Sequence, residues 1–97
     1  MFLKIHHSQQ GGDIVAVCDR ELLNTTVLHG DIEVPIKESF YGNCLASEDE
    51  VREALLHAYN ANLIGERAVA LAIDMGLITR SGCILIGAVP HALLFRV

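Results

Sequence analysis

Two segments in the last third of the chain carry residue types that could form a functional site. Residues 62–67 read Asn-Leu-Ile-Gly-Glu-Arg, and residues 87–92 read Gly-Ala-Val-Pro-His-Ala. If a helix begins in the first segment, its free N–H groups could bind an anion, and the planar guanidinium of Arg67 would add further hydrogen-bond donors. His91 follows a rigid proline in what we predict to be a loop, so its imidazole could transfer a proton, ligate a metal or contact an RNA base.

The same residues also have purely structural explanations. Asn62 could cap the helix, and Glu66 would favour the positive end of its dipole. Arg67 could pair with Asp74 or with a loop carbonyl. His91 could anchor its loop by bonding a backbone carbonyl, because buried polar groups need partners. The sequence leaves both explanations open for all four candidate binding residues.

Tyr41 is a further candidate binding residue, in an aromatic corner at residues 40–43 that reads Phe-Tyr-Gly-Asn. The corner follows a predicted edge strand and precedes a predicted helix, so we expect it to be exposed. Tyr41 could stack on a base or another ligand. Alternatively, its ring covers the end of the core while its hydroxyl reaches water.

Other chemistry has little support in the sequence. The three cysteines are an odd number at wide spacing, and neither they nor the histidines show the paired spacing of a metal site. We therefore predict no metal, no disulfide and no cofactor. Nucleotide-binding glycine motifs and the serine-hydrolase turn are also missing. Cys18 could be an activated thiolate at the start of a helical turn, but a packed cysteine beside an Asp19 cap is the simpler explanation.

Composition favours one globular domain spanning residues 1–97, since 52% of the residues are hydrophobic and 20% are charged. The net charge is −5, which disfavours general binding to DNA or RNA because such binding depends on basic residues that neutralise phosphates. A small specific RNA contact stays possible, because net charge does not describe local patches. The first residues lack the features of a signal peptide and the apolar tracts are too short to span a membrane, so we expect a cytoplasmic protein.

In the first half of the chain, residues 2–7 and 13–18 predict a hairpin with a loop over residues 8–12. Asp19 could then cap a short helical turn over residues 20–23. Residues 32–36 alternate between apolar and other side chains, and this alternation predicts a strand with one solvent-exposed face. We place that strand at a sheet edge, because Pro35 cannot donate to a ladder.

The second half begins with a capping box, Ser47-Glu-Asp-Glu50, which predicts a helix over residues 48–60. A more apolar helix is predicted over residues 65–75, closed by Gly76. Residues 83–86 and 92–96 read as strands around a connection at residues 87–91. This order predicts an α+β fold, a two-layer sandwich in which two consecutive helices cover a mixed or mostly antiparallel sheet of about five strands.

Several of these motifs together resemble a known family. They are Val15-Ala-Val-Cys-Asp19, Phe40-Tyr-Gly42, Asn62-Leu-Ile-Gly-Glu66 and Val89-Pro-His-Ala92, in this order and at these intervals. The chain thereby resembles, over nearly its whole length, the small archaeal family labelled "domain of unknown function 424". The resemblance implies a cytoplasmic two-layer α+β domain, and it implies no catalytic or binding residues.

We favour a non-enzymatic binding module, which could serve RNA or the translation machinery, because signatures of enzymes are missing. Its recognition face would include Tyr41, Asn62, Arg67 and His91. The alternative is a small enzyme or anionic-ligand-binding protein, with His91 as acid or base, Glu66 orienting it and Arg67 holding an anionic group. Self-association through the Pro35 edge or an apolar helix face is a third option.

Overall fold

The computed structural model describes residues 1–8 and 12–95. Seven strands lie in this part of the chain: β1 (Phe2–His6), β2 (Ile14–Cys18), β3 (Thr26–His29), β4 (Ile32–Pro35), β5 (Asn60–Ile64), β6 (Ile84–Ile86) and β7 (Val89–Phe95). Its three α-helices are α1 (Glu38–Tyr41), α2 (Glu48–Leu56) and α3 (Glu66–Asp74). None of the helices in the described residues is long and apolar enough to cross a membrane.

Five strands form one mixed sheet in the order β1-β2-β5-β7-β6. The β2–β5 pair is parallel, whereas β1–β2, β5–β7 and β6–β7 are antiparallel. The predicted α+β fold class and the mixed sheet of about five strands are confirmed. The hairpin predicted from residues 2–7 and 13–18 is present as β1–β2, and most of its predicted loop, residues 9–11, lies outside the described residues.

One face of the sheet, which we call the helix face, is covered by α2 and α3. Val17 of β2 and Leu63 of β5 are fully buried there against Leu55 of α2 and Val69 of α3. Burying each of these side chains stabilises the fold by roughly 2 kcal/mol. Both predicted signals for helix ends are confirmed: the Ser47–Glu50 capping box starts α2, and Gly76 follows α3 in a left-handed conformation with φ 74°.

The opposite face, which we call the ribbon face, is covered only in part by the described residues. β3 and β4 form a separate two-stranded ribbon, which together with α1 packs against Ala16, Cys18 and Ile64 through Ile36 and Tyr41. The strand predicted over residues 32–36 is therefore an edge strand of this ribbon and not of the main sheet. Its partner β3 was not predicted, because Thr26–His29 shows little alternation.

The largest correction concerns residues 57–64. The helix predicted to reach residue 60 ends at Leu56, and Asn60–Ile64 forms the central strand β5 instead of opening the next helix. Asn62 is consequently not a helix cap. A central strand that is covered on both faces shows no alternation of apolar and polar residues. Its sequence therefore resembles that of a buried helical segment.

A second correction concerns Pro90 and His91, which lie inside β7 and not in a loop. The connection between β6 and β7 is only Gly87-Ala88. The carbonyl of Pro90 accepts a hydrogen bond from Gly65 N at 2.9 Å, just beyond the last β5 residue. In an antiparallel pair the N and O atoms of one residue point to the same neighbour. The N–H that Pro90 lacks would therefore point toward Gly65, at the end of the β5–β7 ladder. Losing one hydrogen bond at this end position costs little stability.

Candidate functional site

Three of the predicted candidates meet on the ribbon face, around the side-chain amide of Asn62. Its Oδ1 accepts a hydrogen bond from the Tyr41 hydroxyl at 2.8 Å and lies 3.1 Å from His91 Nε2. Register places the three groups together, since Asn62 and His91 occupy neighbouring strands and α1 brings Tyr41 over the sheet. We call Tyr41, Asn62 and His91 the polar triad.

The chemistry of Asn62 fixes the proton positions in the triad. A carbonyl oxygen only accepts hydrogen bonds, so both the Tyr41 hydroxyl and His91 Nε2 must donate. Neutral His91 therefore carries its proton on Nε2, which leaves a lone pair on Nδ1. Within the described residues, His91 Nδ1 is the buried side-chain polar atom that has no hydrogen-bond partner.

Burial keeps the triad uncharged near neutral pH. It raises the pKa of Tyr41 far above its ordinary value, and the negative charge that the neighbouring Cys18 carries as a thiolate adds a smaller increase. Burial also lowers the pKa of His91. The triad therefore consists of a hydroxyl, an amide and a neutral imidazole, which can donate and accept hydrogen bonds but hold no ion.

Beside the triad, the part of the ribbon face that the described residues leave open is mostly apolar. Leu93 is 50% exposed, Phe95 is 70% exposed and Ile84 is 61% exposed, all on the same face as His91. A cavity of about 120 Å³ lies between Gly82, Ile84, His91 and Leu93. We call the surface formed by Ile14, Ile84, Asn62, His91, Leu93 and Phe95 the open half-face.

The remaining two candidates, Glu66 and Arg67, begin α3 and contact other partners. Glu66 lies 3.8 Å from the guanidinium of Arg80, and Arg67 lies 3.4 Å from the carboxylate of Glu21. All four of these side chains are more than half exposed, so these pairs contribute little to stability. The predicted Arg67–Asp74 pair is not formed, because Asp74 pairs with Arg52 at 2.7 Å.

The N-terminus of α3, predicted as a site for an anion, already holds one from the protein itself. The carboxylate of Asp19 accepts hydrogen bonds from Arg67 N at 2.9 Å and Ala68 N at 2.8 Å, and Asp19 is only 2% exposed. Asp19 was predicted to cap the turn at Arg20–Leu22, but it makes no side-chain cap there. It caps a helix that begins 47 residues later in the chain (66 − 19).

Gly65 makes room for this cap. Its φ of 111° and ψ of 157° belong to a region that essentially only glycine adopts. A Cβ on Gly65 would lie 2.2 Å from Asp19 Cγ. This pair was not predicted, although the sequence carries two signals for it: an aspartate directly after a buried strand and a glycine directly before a helix.

The thiol of Cys18 is also inert in this setting. Burial raises its pKa to about 12, and the carboxylates of Asp19 and Glu21 add to the increase. The activated thiolate considered from the sequence is therefore contradicted, and the packed cysteine is the better explanation. The described residues contain no group of three or more His, Cys, Asp or Glu side chains placed to hold a metal ion.

The chain resembles other proteins in both sequence and fold. The family model described as "Protein of unknown function (DUF424)" matches residues 6–97. The crystal structure of an uncharacterized conserved protein from Methanopyrus kandleri superposes with a TM-score of 0.80 at 27% sequence identity, covering 99% of this chain and 93% of the other. No curated protein sequence matches the chain.

Proposed function

The chain belongs to the DUF424 family of proteins of unknown function, and we propose that it is a non-enzymatic binding module that holds a protein partner on its open half-face. The observation that carries the proposal is the combination of Leu93, Phe95 and Ile84, exposed on one sheet face, with the neutral polar triad at their edge. Exposed apolar patches beside fixed polar groups are typical of protein interaction sites.

Protein fits this surface better than nucleic acid. On the ribbon face of β1, Lys4 Nζ donates to Ser39 O at 3.4 Å and His6 Nε2 donates to Phe40 O at 2.7 Å, so both side chains turn toward the covered part of that face. The open half-face itself presents aliphatic, aromatic, amide and neutral imidazole groups. Nucleic-acid affinity comes largely from cations that neutralise phosphates, and the chain carries a net charge of −5. We therefore expect any association with RNA or the translation machinery to come through a bound protein, and ribonuclease treatment tests this.

The alternative of a small enzyme or anion-binding protein has less support. His91 would need a carboxylate to orient its ring and raise its basicity, but its contact is the neutral amide of Asn62. Glu66 and Arg67 pair with other residues, and the helix N-terminus beside them is filled by Asp19. The proposed recognition face accordingly includes Asn62 and His91 but not Arg67. Tyr41, predicted from the sequence to be exposed, is only 7% exposed and supports Asn62 from the covered side.

The test is quantitative affinity capture from an extract of the source organism, with and without ribonuclease. Wild type is compared with Phe95→Glu, which places a charge on the open half-face. The matched control is Leu56→Glu on α2, where the replaced side chain is 54% exposed and lies at the end of a helix. We expect a defined set of proteins that is retained by Leu56→Glu, resists ribonuclease and falls at least tenfold with Phe95→Glu.

Other outcomes contradict the proposal in distinct ways. Equal capture by wild type and Phe95→Glu would remove the open half-face as the binding surface. Loss of all partners on ribonuclease treatment would favour RNA as the ligand. If the purified protein doubles its mass in solution and Phe95→Glu makes it monomeric, the surface serves self-association instead.

A further inference from the structure

A groove with a volume of about 490 Å³ lies between strand β1 and helix α2. It is on the helix face of the sheet, where Leu3 and Ala54 pack against the core. Apolar side chains and carboxylates line it together: Leu3, Ile5, Ala54, Asp49, Glu50 and Glu53. The lining residues thus include three acidic groups and no basic group.

Two of these carboxylates are available to a bound cation. Glu50 is committed to the capping box, where its carboxylate accepts a hydrogen bond from Ser47 N at 3.0 Å. Glu53 lies 3.1 Å from His57 Nε2, but both side chains are more than 70% exposed, so this pair is weak. Asp49 has no side-chain partner among the described residues. Asp49 and Glu53 therefore give the groove an uncompensated negative charge.

The backbone of β1 is open to a partner at Ile5. β1 is an outer strand of the sheet, and residues 44–46 pair only with its beginning, where Leu3 N donates to Cys44 O at 3.1 Å. The N–H of Leu3 thus points away from β2. Because these directions alternate along an antiparallel strand, the N–H and C=O of Ile5 point to the same side. Among the described residues, no strand pairs with Ile5 there.

We propose that the groove and the β1 edge together bind an extended basic segment of a partner polypeptide. A segment hydrogen-bonded to Ile5 would place the side chain opposite Ile5 on the same face of the sheet, and therefore in the groove. Lysine and arginine fit this position, because their aliphatic stems can pack on apolar side chains while their charged ends reach Asp49 and Glu53. Strands that add to a sheet edge are commonly recognised through such alternate side chains.

The charge of the groove disfavours other occupants. Nucleic acid would bring phosphates toward carboxylates. A second copy of the chain carries a net charge of −5 and would be repelled. A metal ion is disfavoured too, because the described residues place no three His, Cys, Asp or Glu side chains to hold one. The groove lies on the other face of the sheet from the open half-face, so this inference goes beyond the proposed function.

The probe is the peptide acetyl-Lys-Thr-Lys-Thr-Lys-amide, and its uncharged counterpart carries glutamine at the lysine positions. Binding is followed by NMR shifts of the Ile5 amide and the Ala54 methyl group at low salt. We expect the lysine peptide to bind about fivefold more tightly than the glutamine peptide, since two exposed ion pairs contribute about that much. The preference should decrease as salt screens the charges.

Asp49→Asn combined with Glu53→Gln should weaken the lysine peptide by the same factor of about five. The matched control is Asp31→Asn combined with Glu33→Gln, which changes the same residue types and the same net charge. These two residues are exposed in the ribbon, near His29, which accepts a hydrogen bond from Gly87 N at the opposite edge of the sheet. The control should bind the peptide as the wild type does.

Two isomers of the lysine peptide test the backbone contact. One is methylated on the backbone nitrogens of its lysines, and the other on those of its threonines. In an added strand the N–H groups of alternate residues face β1, so one isomer should lose about tenfold in affinity and the other should keep it.

The inference is overturned if the lysine and glutamine peptides bind equally, if neither shifts the Ile5 amide, or if the two methylated isomers bind equally. Equal weakening by the groove variant and the control variant would attribute binding to net charge and overturn it as well. If the purified protein doubles its mass in solution and the groove variant makes it monomeric, the groove holds a second copy instead.

Discussion

Replacing Gly65 by alanine tests whether this glycine exists to admit the Asp19 carboxylate to the start of α3. The added Cβ would lie 2.2 Å from Asp19 Cγ, and the φ of 111° would be strained for any side chain. The backbone strain costs about 1–3 kcal/mol. Displacing the carboxylate from one of its two helix N–H groups costs about 2 kcal/mol more, since hydrogen bonds to charged groups are the stronger ones.

The expected loss for Gly65→Ala is therefore about 3–5 kcal/mol, a large share of the 5–15 kcal/mol that stabilises a typical domain. Chemical denaturation monitored by circular dichroism measures it. Gly76→Ala is the matched control, because Gly76 also has a positive φ, 74°, but no atom lies within 4 Å of the position of its Cβ. That variant should lose only about 1–2 kcal/mol.

A double-mutant cycle separates the steric effect from the strain. Once Asp19→Gly has removed both the carboxylate and the Asp19 Cβ, which would itself lie 2.6 Å from the added Cβ, Gly65→Ala should cost only the strain, so the two changes should couple by about 2 kcal/mol. Additive losses would refute the reasoning, because they would show that Gly65 is needed for its backbone conformation alone. Equal losses for Gly65→Ala and Gly76→Ala would refute it as well.

The other predictions concern buried groups whose protonation the fold controls. Burial raises the pKa of Tyr41, so its contribution to stability is complete below pH of about 10, the ordinary tyrosine value, and falls as the pH rises above it. Tyr41→Phe should remove this decrease from a plot of the free energy of unfolding against pH. It should also lower the free energy of unfolding by about 1 kcal/mol at neutral pH. An unchanged decrease at alkaline pH would contradict the assignment. Burial raises the pKa of Cys18 to about 12, so an aromatic disulfide reagent should modify it only after unfolding, whereas exposed Cys44 should react at once. Because Cys83 is partly exposed, Cys44→Ser combined with Cys83→Ser should leave no modification before unfolding, and native modification of Cys18 would show that its strand opens.

Local signals in the sequence predicted local structure well. The Ser47–Glu50 capping box and the Gly76 terminus involve residues within a few positions of each other, and both are present. The alternation in residues 32–36 likewise marked β4 correctly. Such patterns are strong where one turn or one strand determines the hydrogen bonding by itself.

Prediction failed where a distant partner determines the conformation. Asn62 could serve as a cap in isolation, but two neighbouring strands draw it into β5. Asp19 could cap its own turn, but the start of α3 offers its carboxylate two free N–H groups in a buried place. Tyr41 could point to solvent, but Asn62 supplies an acceptor for its hydroxyl. These pairings span 21 to 49 residues, beyond the reach of any pattern along the chain.

The Asp19 cap also changes how α3 opens. First-turn amides of a helix ordinarily exchange their hydrogens quickly, because helix ends fray. The amides of Arg67 and Ala68 are held by the carboxylate of Asp19, which directly follows β2, and β3, β4, α1, α2 and β5 lie between the two segments in the chain. We therefore expect these two amides to exchange as slowly as the amides of β2, and fast exchange in native-state hydrogen-exchange measurements would contradict this.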